Sequence, residues 1–269
     1  MVDIKFGPAG LGPVKTAEKV LEQYYERGLK VCEIAFTYGA YIKNKSDAEK
    51  IKKKAKELGM ELTIHAPYWI NLNSAERIKV EKSKKRILRS LEVGTWLNAK
   101  KVVFHPGYYG KKEKEETYNK IKEGIKEILE NAKENKYTPK LCPETTGKVN
   151  VFGSIEEIAK LNQETGCSFC VDFAHILARY KSYNFKEVFE KIIGPSKQKQ
   201  IHIHFSGIVY GDKGEKHHKR TEKEELEKLF KEFKKHKTEL KDKEITLISE
   251  SPSPIEDSVR GLEVWERIS

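Results

Sequence analysis

KVVFHPG, residues 101–107, joins a short β-branched run to a histidine and a Pro-Gly turn. A run of this length, bounded by a charged residue and a turn, is typical of a buried parallel strand. Similar runs recur along the chain and give eight predicted strands: Ile4–Phe6, Val31–Phe36, Leu62–His65, Lys101–His105, Leu141–Glu144, Ser168–Phe173, Gln200–Phe205 and Ile245–Ser249.

Segments of helical period separate these strands. Several of them begin with the spacing of a capping box, as in Ser46 with Glu49 and Ser154 with Glu157. Eight alternations of strand and helix predict an α/β protein, a single (β/α)8 TIM barrel over residues 1–269. The alternative is a doubly wound open sheet, which requires a phosphate-binding loop after the first strand. The segment GPAGLG, residues 7–12, contains proline and matches neither nucleotide-binding pattern.

Composition limits the classes of partner and compartment. The chain has 52 Lys and Arg against 41 Asp and Glu, a net charge of +11, which favours a polyanionic partner such as nucleic acid. Four cysteines in 269 residues are too few for a disulfide scaffold, so we expect a reducing, cytoplasmic location. No run approaches 18 uncharged apolar residues, and the first ten residues lack a secretory pattern, so we expect no membrane association.

Ionisable side chains lie at or near the ends of six consecutive predicted strands. In a (β/α)8 barrel the carboxyl ends of the strands form one rim, where the chemistry takes place. Histidine and carboxylate ligands suit zinc or manganese, so the pattern predicts a metal centre at this rim. His204 lies two residues beyond His202 on the same strand face and competes with it for one ligand position. The candidate ligands are His65, His105, Glu144, Asp172 with His175, His202 and Glu250.

A second group of candidates follows the seventh strand. Glu215 and His217 are two residues apart, so in an extended segment both side chains point the same way. With His175 they would form a His₂-carboxylate set, which is typical of a catalytic zinc. His218 is expected to point away from this set.

Jointly, these motifs resemble the endonuclease IV family of apurinic/apyrimidinic DNA-repair enzymes, over nearly the whole chain. The resemblance implies zinc-dependent hydrolysis of the phosphodiester 5′ to an abasic site in double-stranded DNA, leaving a 3′-hydroxyl and a 5′-deoxyribose phosphate. It also implies a monomer. The segments that carry the resemblance are His65–Tyr68, His105–Gly107, Pro143–Lys148, Val171–His175 and Glu250–Pro252.

The resemblance also implies a role for each candidate residue. Three zinc ions per chain are expected, with Glu144 and Glu250 as the catalytic carboxylates. Tyr68 and Trp69, in the loop after the third strand, occupy the place from which the family inserts side chains into the duplex. The implied ligand sets are His65, His105 and Glu144; then Asp172, His202, Glu250 and the bridging Glu144; and finally His175, Glu215 and His217.

The sequence departs from the family at several positions, so two other functions stay open. Glu215 stands where the family usually has Asp, and Lys219-Arg220-Thr221 stands where Gly-Glu-Gly is common. The main alternative is a metal-dependent sugar isomerase or epimerase of the xylose-isomerase-like barrel superfamily. A nucleic-acid binder that keeps the barrel without catalysis is the third.

Overall fold

A closed barrel of eight parallel strands lies at the centre of the computed structural model, which describes residues 2–269. Two arcs of four strands are completed by parallel bridges between Ala9 and Glu33 and between Glu144 and Cys170. The predicted (β/α)8 barrel is thereby confirmed. The barrel strands are β1 (Asp3–Pro8), β2 (Val31–Ala35), β3 (Glu61–His65), β4 (Lys101–Phe104), β5 (Lys140–Pro143), β6 (Cys170–Asp172), β7 (Gln200–His204) and β10 (Glu244–Ser249).

Helices surround the barrel and bury their apolar faces against it. Ser154 begins one of them with the predicted capping box, since its hydroxyl accepts from the Glu157 amide and Glu157 accepts from the Ser154 amide. A π-helical turn, Phe189–Ile193, continues α7. The helices are α1 (Ala17–Glu26), α2 (Lys45–Glu57), α3 (Arg77–Leu97), α4 (Lys114–Glu134), α5 (Ile155–Thr165), α6 (Phe173–Tyr180), α7 (Phe185–Val188), α8 (Lys223–Lys235) and α9 (Pro254–Ile268).

An antiparallel hairpin follows β7, where the sequence analysis expects only a loop. Its strands are β8 (Gly207–Gly211) and β9 (Gly214–Lys219). The pairing contains a β-bulge: Tyr210 lies opposite Glu215 and Val209 lies opposite His217, so Lys216 is an extra residue in β9. A bulge reverses the side-chain alternation beyond it.

The barrel interior is more polar than the usual filling of branched apolar side chains. Lys101 is fully buried near the amino ends of the strands, where its Nζ lies 3.3 Å from the Gln200 carbonyl oxygen. Above it, Val103, Cys142 and Cys170 form a small apolar cluster. Glu33 and the histidines of β7 are buried nearer the carboxyl rim. No helix within residues 2–269 is long and apolar enough to span a membrane.

Candidate metal centre

Glu144 lies at the middle of the histidine and carboxylate side chains on the carboxyl rim. It directly follows β5 and is fully buried. Its Oε2 lies 3.2 Å from His65 Nε2 and 3.0 Å from His105 Nε2. Its Oε1 lies 3.1 Å from His204 Nδ1 and 3.5 Å from His175 Nδ1. One carboxylate therefore contacts histidines from four different elements of the barrel.

Backbone carbonyl groups orient two of these histidines. His65 is the last residue of β3, and its Nδ1–H donates to the Ala66 carbonyl oxygen at 2.8 Å. His175 lies in the first turn of α6, and its Nδ1–H donates to the Thr145 carbonyl oxygen at 2.9 Å. A carbonyl oxygen can only accept, so Nδ1 carries the proton in both rings and Nε2 is directed to the site.

Asp172 joins the capping of α6 to the site. One carboxylate oxygen, Oδ1, accepts from the His175 amide at 2.8 Å and caps the helix. The other, Oδ2, is buried and has no hydrogen-bond partner within residues 2–269. A buried carboxylate oxygen without a partner is costly, and a cation relieves that cost.

Besides a set of Cys170, His202 and His204 deeper in the barrel, the structure gathers the donors on the rim into three groups. In each group, one donor atom per residue lies within 4.8 Å of the others. Glu144 belongs to two groups, and so does Asp172, so the groups form one continuous centre. The groups are His65, His105 and Glu144; Glu144, Asp172, His204 and Glu250; and Asp172, His175 and His218.

His204 occupies the β7 position in this centre, which corrects the assignment of His202 from the sequence. Both side chains point into the barrel because they are two residues apart on one strand. His202 lies one layer lower, where its Nε2 contacts Glu33 Oε2 at 2.9 Å and its Nδ1 contacts Thr246 Oγ1 at 2.6 Å. Burial lowers the pKa of His202 to about 4, so this ring is neutral.

His218 takes the place predicted for His217, and the bulge in β9 is the reason. Because Lys216 is an extra residue, Glu215 and His218 lie on the face toward the barrel, whereas His217 is exposed. His218 Nδ1 lies 2.6 Å from Ser206 Oγ, which fixes the ring. Glu215, expected as a ligand of the third metal, has its Oε2 3.6 Å from His175 Nε2 and borders the third group without belonging to it.

The hairpin is joined to the loop after β5 at Gly147. The Glu215 amide donates to the Gly147 carbonyl oxygen at 3.1 Å, and Lys148 pairs with Gly214 in an antiparallel bridge. A Cβ atom on Gly147 would lie 2.7 Å from Glu215 Cβ and 3.1 Å from His175 Cδ2. The absence of a side chain at residue 147 therefore permits this contact.

The pKa shifts show how strongly the centre attracts positive charge. Although burial favours the neutral ring, the hydrogen bond and charge of Glu144 raise the pKa of His65 to about 9. The pKa of His175 is raised in the same way, against burial, by Asp172 and Glu144. Burial would raise the pKa of Glu250, but the charge and hydrogen bond of His204 lower it to about 2. Without metal ions, protons on histidines balance the carboxylates.

An open cleft of about 520 Å³ lies over the centre, lined by His105, Glu250, Lys148 and other rim residues. At its edge, the side chains of Tyr68 and Trp69 are 62% and 63% exposed. The Trp69 carbonyl oxygen accepts from Arg86 Nη1 of α3 at 3.0 Å, which ties this loop to the helix through backbone rather than through the indole ring. Tyr68 lines the cleft itself, whereas Trp69 lines a neighbouring hollow with Lys82 and Arg86 of α3.

Sequence reasoning missed Glu33, which contacts both histidines of β7 from inside the barrel. The signal was a single carboxylate in the otherwise apolar strand VCEIA, residues 31–35. A buried strand rarely carries an unpaired charge.

The barrel and its rim define a (β/α)8 protein with a candidate metal centre of histidines and carboxylates. The chain belongs to the xylose isomerase-like TIM barrel family, whose family model matches residues 21–267. An uncharacterized protein of Methanocaldococcus jannaschii is 41% identical over 78% of this chain and 79% of its own length. A protein of Shouchella clausii named "probable endonuclease 4" is 31% identical over 54% of this chain and 52% of its own length, so the match spans about half of that relative.

Solved structures share the fold across nearly the whole chain. SacUVDE has a TM-score of 0.77 at 15% identity and covers 100% of this chain and 99% of its own. Endonuclease IV from Thermus thermophilus has a TM-score of 0.71 at 20% identity, covering 99% and 100%. D-psicose 3-epimerase from Clostridium cellulolyticum has a TM-score of 0.70 at 12% identity, covering 98% and 99%. At these identities the likeness concerns the fold alone.

Proposed function

We propose that the chain is a zinc-dependent apurinic/apyrimidinic endonuclease that hydrolyses the phosphodiester 5′ to an abasic site in double-stranded DNA. The observation that supports this most directly is the third group of donors, Asp172, His175 and His218, next to the two groups that share Glu144. A sugar isomerase or epimerase needs one or two metal ions and has no use for a third group.

The donors fit zinc, three ions per chain, because each group mixes imidazole nitrogen with carboxylate oxygen. Divalent cations in such a centre polarise phosphoryl oxygens and lower the pKa of a water molecule. Among the carboxylates, the Glu144 side chain is fully buried, whereas that of Glu250 is 20% exposed and lines the cleft. We assign Glu144 to holding the centre together, and Glu250 to orienting the attacking water and receiving its proton.

Charge and shape of the cleft suit damaged DNA. The net charge of +11 attracts the phosphate backbone, and Lys148 at the cleft is placed to contact a phosphate. An abasic nucleotide offers no base to read, so recognition depends on missing stacking and easy extrusion from the duplex. The exposed rings of Tyr68 and Trp69 would stack where the base is absent. We further propose that the protein acts as a cytoplasmic monomer.

A labelled duplex with one abasic site tests the function. We expect one cut, 5′ to the site, that leaves a 3′-hydroxyl which a polymerase extends. The same duplex without the lesion, and the protein treated with a chelator, should give no cut. Zinc-loaded protein that leaves the abasic duplex intact would contradict the proposal.

The same preparation tests the alternative. D-psicose and D-tagatose, the sugars named for one protein of this fold, are the ketohexoses to try, and exchange of the C3 proton with solvent deuterium would report epimerisation. Exchange on a ketohexose, together with intact abasic DNA, would establish the epimerase instead. A duplex that is bound at the lesion but never cut would favour the third function, a nucleic-acid binder.

A further inference from the structure

Glu33 is the buried carboxylate of β2, a strand that supplies none of the donors on the rim. Its Oε2 accepts from Thr63 Oγ1 at 3.0 Å and from His202 Nε2 at 2.9 Å. A fully buried carboxylate is costly unless its neighbours stabilise the charge, so the groups that it contacts indicate its role.

The second carboxylate oxygen of Glu33 is directed toward the metal centre. Oε1 lies 3.0 Å from His204 Nε2, the distance of an ion pair. Within residues 2–269, neither of these two atoms has a hydrogen-bond partner, so the contact between them is electrostatic. His202 differs, because Thr246 and Glu33 satisfy both of its ring nitrogens.

The two nitrogens of His204 face carboxylates on opposite sides of the ring. Nε2 faces Glu33, whereas Nδ1 lies 3.1 Å from Glu144 Oε1 and 3.5 Å from Glu250 Oε1. A neutral imidazole carries one proton, and an ionised carboxylate only accepts. When the proton is on Nε2, Nδ1 has a free lone pair that points toward Glu144 and Glu250 of the second group. A metal ligand needs such a free lone pair.

We propose that Glu33 is a positioning residue: its carboxylate holds the proton of His204 on Nε2 and thereby makes Nδ1 the atom that binds metal. The proposal rests on the metal centre of the proposed function but not on the DNA substrate. It can therefore be tested with zinc alone, whether or not the chain cleaves abasic DNA.

Glu33→Gln removes the charge and keeps the shape of the side chain. Glutamine carries no negative charge to favour a proton on His204 Nε2, and its amide nitrogen only donates. The matched control is Thr63→Val, because Thr63 donates to the same carboxylate but makes no hydrogen bond to His204. A structural role in the barrel interior would make the two variants alike.

Zinc affinity, measured by competition with a chromophoric chelator on metal-free protein, is the first readout. We expect Glu33→Gln to weaken one zinc site by about 10–100-fold, and Thr63→Val to change affinity less than threefold. Equal affinity of Glu33→Gln and the parent would overturn the role of Glu33 alone, as would equal losses in both variants. A parent protein that binds no zinc would overturn the metal centre as well.

Nitrogen-15 spectra of the zinc-loaded parent provide a second test that does not require Glu33→Gln to fold. His204 is identified by the resonances that disappear in His204→Gln. We expect a protonated Nε2 and a coordinated Nδ1 on this ring. A coordinated Nε2 with the proton on Nδ1 would overturn the proposal.

Discussion

Exposure separates the two carboxylates that the sequence pairs as catalytic. Glu144 is sealed inside the centre and contacts several histidines, so replacing it would disturb structure and chemistry together. The Glu250 side chain faces the cleft and contacts His204 Nδ1 at 3.5 Å. Glu250 is therefore the residue at which chemistry can be changed with the least effect on the fold.

We expect Glu250→Gln to lower the rate of cleavage of abasic DNA by at least about 10²–10⁴-fold, because an amide cannot accept the proton of the attacking water. DNA affinity should stay within a few fold, since lysine and arginine contacts to phosphates supply most of it. Single-turnover cleavage and fluorescence anisotropy measure the two quantities. Parallel losses in both would assign Glu250 a structural role.

The bulge in β9 determines whether His217 or His218 faces the metal centre. We expect His218→Ala to remove about one zinc ion per chain and His217→Ala to remove none, because His217 is exposed. Elemental analysis of the two purified variants measures the difference. Each serves as the control for the other, and the reverse result would show that β9 is regular.

The loop after β3 presents Trp69 with little burial of its side chain. We expect Trp69→Ala to weaken binding to an abasic duplex by 1–3 kcal/mol, the value of one aromatic stacking contact, with little change for an intact duplex. The melting temperature should be nearly unchanged because the ring is 63% exposed. A large fall in melting temperature, or equal weakening on both duplexes, would indicate that Trp69 packs against α3 instead.

The sequence was sufficient for the alternation of strands and helices, because apolar runs and capping boxes are local patterns. It also placed His65, His105 and Glu144, since each lies at or just beyond the end of its strand. It could not separate His202 from His204, because both side chains lie on the same face of β7. Only the residues that face them from neighbouring strands show which histidine lies at the rim. It expected Glu215 among the ligands of the third group, which Glu215 only borders, and it missed His218, since the extra residue in β9 depends on pairing with β8.

Zinc ions have to displace protons from histidines of the metal centre. The pKa of His65 is raised to about 9, so its ring carries a second proton at pH 7 in the metal-free protein, and the pKa of His175 is raised in the same direction. Zinc binding needs the nitrogen lone pair, so it releases these protons, and zinc affinity should rise with pH up to about 9.

Calorimetric zinc titration in two buffers of different ionisation enthalpy measures that proton release. We expect net release at pH 7, less release at pH 9, and close to three zinc ions per chain by elemental analysis. Uptake of protons on zinc binding would contradict the expected release of protons from the histidines. Fully active protein with one metal ion or none would contradict the three groups.

The contact at Gly147 means that the third group of donors depends on the absence of a side chain at this residue as well as on its own ligands. A single methyl group there would lie 2.7 Å from Glu215 Cβ and 3.1 Å from His175 Cδ2, both shorter than van der Waals contact. The hairpin would have to pivot outward and carry His218 with it. We therefore expect Gly147→Ala to remove one metal site without replacing a ligand, so that elemental analysis finds about two zinc ions per chain.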